Sequence, residues 1–400
     1  ETVDAEGCSQ SQLDDDGDGV MNDADLCSNT PTGETVDADG CHGGSVVTWG
    51  LYESGSSSFI SSAGLDLSSG VIEIFQAGNG WAALKSDGSV VTWGSNGYGG
   101  NSSSVSSDLS SGVIEVFSSG GAAAALKSDG SVITWGYEGS GGNSSSVSSD
   151  LSSDVIKIYS TDEAFAALKS DGSVVTWGGW GGDSTSVSAE LNSGVISIHS
   201  TPHAFAALKS DGSVVTWGGS PNGGDSSSVS SDLTSGVTEI FSTGSAFAAL
   251  KSDGSVVTWG STYGGDSSSV SSDLSSGVNS IYSNKWAFAA LKSDGSVVTW
   301  GESSVGGDSS SISSELSSGV LKIYSTERAF AALKSDGSVA TWGDSSYGGD
   351  SSSVSSDLSS GVIKIDSTES AFAVLKSDGS VVTWGDSSFG GDSSSVSSDL

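Results

Sequence analysis

The sequence predicts an all-β fold, a β-propeller of about seven to nine four-stranded blades that follows a short irregular N-terminal segment. Two observations carry this prediction. The stretch LKSDGSVVTWG at residues 84–94 returns, with one or two letters changed, at a period of about 42 residues. Each copy also holds three short runs of β-branched, aromatic and small apolar residues. A repeat of this length with several strands is typical of a propeller blade.

The copy at residues 154–191 shows how each strand is predicted. VIKIY, FAALK and SVVTW are interpreted as strands A, B and C. Asp171-Gly172 separates strand B from strand C, and an Asp-Gly pair between such runs indicates a hairpin turn. The fourth stretch, SSSVSSDL in most copies, is interpreted as a short outer strand or a loop. Because one small sheet cannot bury its apolar side alone, we expect the copies to stack, with the Trp of TWG between blades.

Residues 1–44 form a separate segment by composition, and residues 45–400 hold the repeats. The segment carries 12 of the 49 acidic residues and none of the 13 basic ones. Within it, DDDGDGVMNDAD places oxygen donors at alternate loop positions with Gly at the sixth, the spacing of a calcium loop. The alternative is a solvated acidic linker. The predicted Ca²⁺ ligands are Asp14, Asp16, Asp18, Val20 through its carbonyl, Asn22 and Asp25.

The N-terminal segment resembles a thrombospondin type 3 repeat of the form found as stalks in bacterial surface proteins. DDDGDGVMNDADLC followed by TPTGETVDADGC carries the resemblance over about 40 residues. It implies a Cys27–Cys41 disulfide, with Cys8 paired to a cysteine before residue 1, and hence an oxidising compartment. Three free thiols are the alternative.

The repeats resemble RCC1-type repeats in the short bacterial form, through VIEIFQAGNGWAALKSDGSVVTWGSNGYGG at residues 71–100. The resemblance covers about 350 residues. It implies a propeller over residues 45–400, which we expect to be truncated at its C-terminus because Leu400 lies inside a repeat. The chain departs from the family pattern where Ser replaces Pro in the fourth stretch and Ala-Phe replaces a small polar residue or His before strand B. The family's nucleotide exchange and chromatin binding are therefore not expected here.

Two stretches vary between the copies, one between strands A and B and one between strand C and the fourth stretch. In an antiparallel up-and-down sheet both emerge at one end, away from the Ser-Asp-Gly-Ser turn. Aromatic residues in exposed loops are common anchors of binding surfaces, although loops also tolerate neutral drift. The candidates for a ligand-binding face are Tyr98, Tyr137, Trp180, Tyr263, Trp286, Tyr347 and Phe389.

The opposite end is predicted to carry eight lysines, one near each turn Asp, from Lys85 to Lys376. They could bind an anion, but charge pairing with the turn Asp is the simpler interpretation. His199 and His203 share one A–B loop at a spacing that suits a metal, yet the sequence offers no third ligand nearby. The sequence contains no nucleophile elbow and no phosphate loop, so we predict no enzyme activity.

Charge and hydropathy exclude further classes of partner. The net charge of −36 disfavours nucleic acid and anionic membranes, and no apolar run reaches the roughly 18 residues of a membrane helix. Together with the implied disulfide, the two resemblances imply an extracellular or cell-surface bacterial protein, or a periplasmic one, and we expect it to bind a protein or glycan ligand as in adhesion. The alternatives are a purely structural spacer and an accessory domain of an enzyme whose catalytic part lies elsewhere.

The calcium loop predicts that Ca²⁺ orders residues 14–25. Titration calorimetry should show binding in the range of about 10⁻⁴ to 10⁻³ M that extracellular modules reach. Replacing Asp16 and Asp18 with Asn should abolish the heat, because two carboxylates are lost from the centre. Asp23→Asn removes the same kind of charge outside the ligand set and is the control. No heat at millimolar Ca²⁺ from the unmodified chain would contradict the prediction.

Overall fold

Three-stranded antiparallel sheets are the building element of the computed structural model, which describes residue 67, residues 70–78 and residues 80–394. The described part is all-β and contains no α-helix. The chain divides into two units, Glu1–Gly182 and Asp183–Leu400. In every sheet the strands follow one another in space as they do in the chain, so we call them A, B and C.

The first unit contains repeats 1 to 3, each with one sheet. Their strands are β1 (Val71–Ala77), β2 (Gly80–Lys85), β3 (Val90–Gly94), β4 (Val113–Ser118), β5 (Ala122–Lys127), β6 (Val132–Gly136), β7 (Val155–Ser160), β8 (Ala164–Lys169) and β9 (Val174–Gly178).

The second unit contains repeats 4 to 8. Their strands are β10 (Val195–Ser200), β11 (Ala204–Lys209), β12 (Val214–Gly218), β13 (Val237–Ser242), β14 (Ala246–Lys251), β15 (Val256–Gly260), β16 (Val278–Ser283), β17 (Ala287–Lys292), β18 (Val297–Gly301), β19 (Val320–Ser325), β20 (Ala329–Lys334), β21 (Val339–Gly343), β22 (Val362–Ser367), β23 (Ala371–Lys376) and β24 (Val381–Gly385).

The apolar cores lie between successive repeats rather than within them. Between repeats 2 and 3, Ala122, Ala124 and Leu126 of one strand B pack against Phe165 and Ala167 of the next. Alternate residues of strand B thus face opposite neighbours, and the small Ala side chains let the sheets approach closely. A single repeat would leave one of these faces in water, which is why a repeat is stable only as part of a stack.

In repeats 3, 5, 6, 7 and 8 a tryptophan and a phenylalanine hold the repeat against the one before it, as the sequence led us to expect of the Trp. Trp342 of repeat 7 donates its Nε1–H to the carbonyl of Gly306 in repeat 6 at 3.1 Å. Phe330 stacks on Trp342 with ring centroids 5.2 Å apart. A Cβ built on Gly306 would lie only 2.7 Å from Phe330 Cδ2, and φ there is +107°. Gly is therefore required on both steric and backbone grounds.

Strand A departs from the predicted alternation because of a β-bulge in every repeat. In repeat 3 the register with strand B shifts between Val155 and Lys157. Ile156 is 57% exposed, whereas Val155 and Ile158 are buried. The extra residue of a bulge places two consecutive side chains on the solvent side, so the apolar positions of strand A are three apart instead of two.

The predicted Asp-Gly hairpin between strands B and C is confirmed. In repeat 6 Gly295 has φ of +79°, and its N–H donates to the carbonyl of Lys292 at 2.9 Å. The Gly295 carbonyl in turn accepts the N–H of Val320, which opens strand A of repeat 7, at 3.0 Å. The turn therefore also joins neighbouring repeats, and this constrains its sequence.

The prediction of a fourth strand in each blade is wrong for the described repeats. The SSSVSSDL stretch forms a short 3₁₀ turn, in repeat 2 Ser145–Val147. Ser145 N–H bonds to Asn143 Oδ1 at 3.0 Å and Ser148 Oγ to the Ser145 carbonyl at 3.1 Å. Ser and Asn side chains satisfy the local backbone here, so it does not need a strand partner. We call this stretch, with the loop before it, the C–D segment.

Other short 3₁₀ turns also lie in the C–D segments. They are Ser103–Val105 and Glu138–Ser140 in the first unit, and Thr185–Val187, Ser220–Asn222, Ser227–Val229, Ser268–Val270, Ser303–Val305, Ser310–Ile312, Ser345–Tyr347, Ser352–Val354, Asp357–Ser359 and Ser387–Phe389 in the second.

The architecture is that of propeller-like repeats. Within each unit, strand A of one repeat contacts strand A of the next, so the A strands lie side by side and the B and C strands follow in order. The predicted number of blades stays a prediction.

The glycine requirement can be tested with a matched pair of substitutions. Gly348 and Gly390 occupy the same repeat position with φ of +90° and +96°, but a Cβ would meet Phe372 Cδ2 at 2.7 Å only at Gly348. Both Ala variants carry the backbone cost of a positive φ, about 1–2 kcal/mol. We expect Gly348→Ala to cost about 1–3 kcal/mol more in urea unfolding, because only it overpacks a core. Equal shifts of the unfolding midpoint would contradict this.

Candidate functional site

The two variable loops of a repeat are joined by a side-chain hydrogen bond. Asn284 Nδ2 donates to the carbonyl of Val305 at 2.6 Å, and Thr326 Oγ1 donates to that of Tyr347 at 2.9 Å. Both loops therefore lie at one end of the repeat, which we call the loop face; the B–C hairpin lies at the other, the turn end. The same bond is made by Ser119, Thr161, Thr201 and Thr368.

The same side chain also fixes the backbone of the A–B loop. Thr326 Oγ1 accepts the N–H of Ala329 at 3.0 Å, and Asn284 Oδ1 accepts those of Trp286 and Ala287 at 3.0 and 2.8 Å. One residue thus holds the loop conformation while the next two residues vary. We call the first of these two residues the ladder position and the second the groove position. The groove position directly precedes strand B.

The ladder positions form a chain of backbone hydrogen bonds along the second unit. Gly244 N–H donates to the Lys285 carbonyl at 2.7 Å, Lys285 N–H to Glu327 at 3.1 Å, and Glu327 N–H to Glu369 at 2.8 Å. Pro202 holds this position in repeat 4 and has no N–H to donate. The ladder sets one variable loop beside the next, so that side chains 42 residues apart in the chain become neighbours.

Each aromatic candidate lies on the loop face of its own repeat, but the candidates differ in exposure. Tyr98, Tyr137, Trp180, Tyr263 and Phe389 are 44–65% exposed. Trp286 and Tyr347 are partly buried against the cores beneath them. Two pairs come together across neighbouring repeats: Tyr98 with Tyr137 at 5.8 Å between centroids, and Tyr263 with Trp286 at 6.2 Å in an edge-to-face arrangement.

Charged side chains join the aromatic ones in repeats 6 and 7. Lys285 forms an ion pair with Glu327, and its Nζ lies 5.9 Å from the Trp286 ring centroid. Arg328 lies over Tyr347, with Cζ 4.9 Å from the centroid. The hydrogen bond from Lys285 and the nearby charge of Arg328 lower the pKa of Glu327 below its usual value. This Glu is therefore ionised at neutral pH.

Sequence reasoning chose the aromatic residues of these loops and missed Lys285, Glu327 and Arg328. A signal for two of them was present. Eight of the 13 basic residues occupy the fixed lysine position near the turn, and only Lys157, Lys285, Lys322, Arg328 and Lys364 lie elsewhere. Two of these five fall in variable A–B loops, where a base in so acidic a chain is unusual.

The turn end differs from the predicted charge pairing. Lys292 Nζ donates to the backbone carbonyl of Asp273, 19 residues earlier, at 2.7 Å. Asp294 accepts instead from the hydroxyl of Ser296 at 2.6 Å and from its N–H at 2.9 Å. The hydrogen bond from the Ser296 hydroxyl lowers the pKa of Asp294 the most. The Ser296 N–H lowers it less, and the charge of Lys292 lowers it least of these three. The lysines thus brace the C–D segment, because a backbone carbonyl is within their reach.

The two histidines are not brought together with further ligands. His199 Nε2 lies 3.3 Å from Ser197 Oγ, at the end of strand A. Within residues 70–78 and 80–394, no cluster of three or more His, Cys, Asp or Glu side chains could hold a metal ion. None of the helical turns in these ranges is long and apolar enough to cross a membrane.

The predicted calcium ligands and cysteines lie outside the described residues. This holds for Asp14, Asp16, Asp18, Val20, Asn22 and Asp25, and for Cys8, Cys27 and Cys41.

Comparison with known proteins gives structural likenesses only. No protein-family model matches the chain, and no curated protein matches it. Among solved structures, the ectodomain of receptor kinase CR4 from Physcomitrella patens is 14% identical, with a TM-score of 0.34 over 66% of this chain and 70% of that one. Yeast RCC1 (Prp20), solved bound to Kap60, is 16% identical, with a TM-score of 0.34 over 68% and 70%. Human WBSCR16 is 18% identical, with a TM-score of 0.34 over 56% and 71%. TM-scores this low support no assignment of fold or function to this chain. The fold described above rests on the contacts between its own strands.

The turn aspartates predict a loss of stability in acid. Each has a folded pKa below its usual value of 3.8. Their contribution is therefore complete above that value and is lost as the pH falls through the folded pKa. In about 0.5 M salt, which screens the net charge, the thermal midpoint should fall between about pH 4 and 2.

A triple Asn variant provides the control for this effect. Replacing Asp253, Asp294 and Asp336 with Asn keeps an acceptor for the Ser N–H but removes the titrating group. The variant should lose less stability between pH 4 and 2 than the unmodified chain. Identical pH profiles would show that these turns do not control acid stability.

Proposed function

We propose that the chain is a non-enzymatic binding scaffold of a secreted or surface-anchored bacterial protein, and that its loop face binds a protein or glycan ligand as in adhesion. The observation that carries the proposal is the set of exposed aromatic rings, Tyr98, Tyr137, Trp180, Tyr263 and Phe389, on the loops that follow strand C. Exposed aromatic rings on loops are characteristic of binding surfaces, because they offer contact area at low entropic cost.

The contrast between the two ends of the repeat supports a binding role. At the turn end, Asp, Gly, Ser and Lys each make a backbone or side-chain bond that recurs from repeat to repeat, for example at Lys251, Asp253 and Ser255. In the A–B loop the backbone bonds recur, but no two of repeats 3 to 8 have the same pair of ladder and groove residues. A scaffold that keeps its frame and varies one surface is suited to recognition.

A spacer is the second candidate, and a specific observation favours it. Strand A carries exposed aliphatic residues in most repeats, among them Ile114, Ile156 and Leu321, at 55–60% exposure. Exposed apolar residues thus occur where no variable loop is present, so exposure alone does not identify a ligand face. A binding scaffold should lose its ligand when aromatic residues of the loop face are replaced, whereas a spacer should be unaffected.

The N-terminal segment fits the same proposal. Residues 1–44 would act as a stalk, stiffened by Ca²⁺ bound to the oxygens of residues 14–25 and by a Cys27–Cys41 disulfide. The support is the spacing of the acidic residues and the resemblance to thrombospondin type 3 repeats. A disulfide and a calcium site of this kind both belong outside the cytoplasm.

The proposal predicts that aromatic residues of the loop face are needed for adhesion. Replacing Tyr98, Trp180, Tyr263 and Phe389 singly with Ser should weaken binding to bacterial or host cells, or to a glycan array. Truncating a central aromatic anchor costs about 2 kcal/mol or more, roughly thirtyfold in affinity, and we expect at least one of the four to reach this.

Matched controls come from strand A. Ile114→Ser, Ile156→Ser and Leu321→Ser remove apolar side chains of similar exposure that lie on a strand rather than on the loop face. They should leave adhesion unchanged. Undiminished adhesion in all four aromatic variants would support the spacer instead.

A further inference from the structure

Three successive repeats of the first unit each place an exposed aromatic ring on the loop face. Tyr98, Tyr137 and Trp180 are 44%, 52% and 65% exposed. The ring centroids of Tyr98 and Tyr137 lie 5.8 Å apart, so these two rings form one patch across repeats 1 and 2. Exposed rings that lie together mark a surface that another molecule can cover.

Two glycines bring Trp180 next to this patch. A Cβ built on Gly139 would be 2.6 Å from Tyr137 Cε1, so the Tyr137 ring lies over this glycine. Gly179, which directly precedes Trp180, packs against the carbonyl oxygen of Gly139, and a Cβ there would clash with that oxygen. The rings of Tyr98, Tyr137 and Trp180 therefore follow one another across repeats 1 to 3. We call these three residues the aromatic strip.

Carboxylates, and no bases, lie beside the aromatic strip. Glu138 follows Tyr137 in the chain and is exposed. Asp162 and Glu163 hold the ladder and groove positions of repeat 3, and Glu163 Oε2 accepts the N–H of Trp180 at 3.5 Å. In the described part of the chain these three carboxylates form no ion pair. The A–B loops and C–D segments of repeats 1 to 3 contain no Lys or Arg.

The second unit shows how the chain pairs such a carboxylate when it supplies the cation itself. Glu327 is at the ladder position of repeat 7, and Lys285, at the ladder position of repeat 6, forms an ion pair with it. Asp162 is at the ladder position of repeat 3, but the ladder position before it is Gly120, whose N–H donates to the Asp162 carbonyl at 2.7 Å. A glycine has no side chain that could supply a cation. The positive charge for Asp162 is therefore left to another molecule.

Charge decides between the classes of partner. A ligand that covers the aromatic strip takes Asp162 and Glu163 out of water, and this costs free energy unless the ligand brings a cation. A Lys or Arg side chain brings one and also packs favourably on an exposed Tyr or Trp ring. The net charge of −36 attracts such a partner at long range and repels an acidic glycan or a nucleic acid. A neutral glycan would leave the carboxylates without a counter-charge.

We propose that the loop face of repeats 1 to 3 binds a basic segment of a partner protein, whose Lys or Arg side chains lie over the rings of the aromatic strip and pair with Glu138, Asp162 and Glu163. This rests on the proposed function and specifies its partner. Because opposite charges meet at an exposed surface, the affinity should fall as salt is raised.

The test compares a basic peptide with its uncharged isostere. The whole chain is titrated by calorimetry, at about 0.15 M salt, against a peptide of Arg-Ser-Gly units and against the same peptide with citrulline in place of each arginine. Citrulline keeps the planar shape of the arginine side chain but carries no charge. We expect the citrulline peptide to bind at least about tenfold more weakly, the scale of a few exposed ion pairs.

Two double variants of equal net charge locate the contact. Glu138→Gln with Asp162→Asn removes two carboxylates beside the aromatic strip and should weaken binding of the arginine peptide about fivefold. The matched control is Glu115→Gln with Asp150→Asn, which removes the same two residue types, both exposed, from strand A and the C–D segment of repeat 2. The control should bind like the unmodified chain, because the long-range charge of the two variants is identical.

A third variant tests the ring itself. Trp180→Leu keeps an apolar side chain but removes the aromatic face, and it should weaken binding of the arginine peptide about threefold, the scale of one exposed cation–π contact. The citrulline peptide, which has no cation, should bind to Trp180→Leu and to the unmodified chain with similar affinity.

Three results would overturn the inference. They are equal affinity for the two peptides, no binding of the arginine peptide at about 1 mM, and a control variant that weakens binding as much as Glu138→Gln with Asp162→Asn. The last result would show that the overall charge of the chain, and not this surface, attracts the peptide.

The proposed function is judged by a separate result. If adhesion to cells depends on the exposed aromatic residues but not on Glu138 and Asp162, the binding role stands and the basic partner is wrong. Competition of that adhesion by a neutral oligosaccharide would then identify a glycan ligand. If adhesion depends on none of these aromatic residues, the binding role itself is refuted.

Discussion

An indole N–H donated to a glycine carbonyl in the preceding repeat is the contact on which the rest of the structure depends. In repeat 8 Trp384 donates to Gly348 at 2.9 Å, and Phe372 stacks on Trp384 while touching the same glycine. The contact satisfies a buried donor and fills the space left by the missing Cβ. It also ties two repeats together, so stability accumulates along the stack rather than within a repeat.

Because the cores lie between repeats, the two ends of the sheet are under different constraints. At the turn end, Gly295 must accept a positive φ and bond to the next repeat, and Lys292 must reach a C–D carbonyl. Little of the Ser-Asp-Gly-Ser turn can change without breaking a contact between repeats. In the A–B loop a single Thr or Asn fixes the backbone, and the ladder positions bond to one another through their backbone, so the ladder and groove side chains can differ between repeats. Variation at this end therefore leaves the frame unaltered.

Much of this frame could be predicted from the sequence. The three strands, the Asp-Gly turn and the place of Trp342 between repeats follow from periodicity, turn chemistry and residue size. The bulge at Ile156 could not be predicted, since VIKIY reads as plain alternation and only the register with strand B reveals the extra residue. The fourth stretch was ambiguous, because Ser-rich sequences bond to their own backbone as readily as they form an edge strand. The candidate site was predicted in part. The aromatic residues could be predicted from the sequence, but the ion pair of Lys285 with Glu327 forms only because the fold brings together loops 42 residues apart.

The central claim is that buried tryptophans hold successive repeats together, and hydrogen exchange of their indole N–H groups tests it most directly. The groups to follow by NMR are those of Trp135, Trp177, Trp259, Trp300, Trp342 and Trp384, each bonded to a glycine carbonyl 36 residues earlier. We predict exchange at least about a hundredfold slower than for the ring of Trp81, which is 48% exposed. Exchange of all these indoles at the rate of Trp81 would contradict the account.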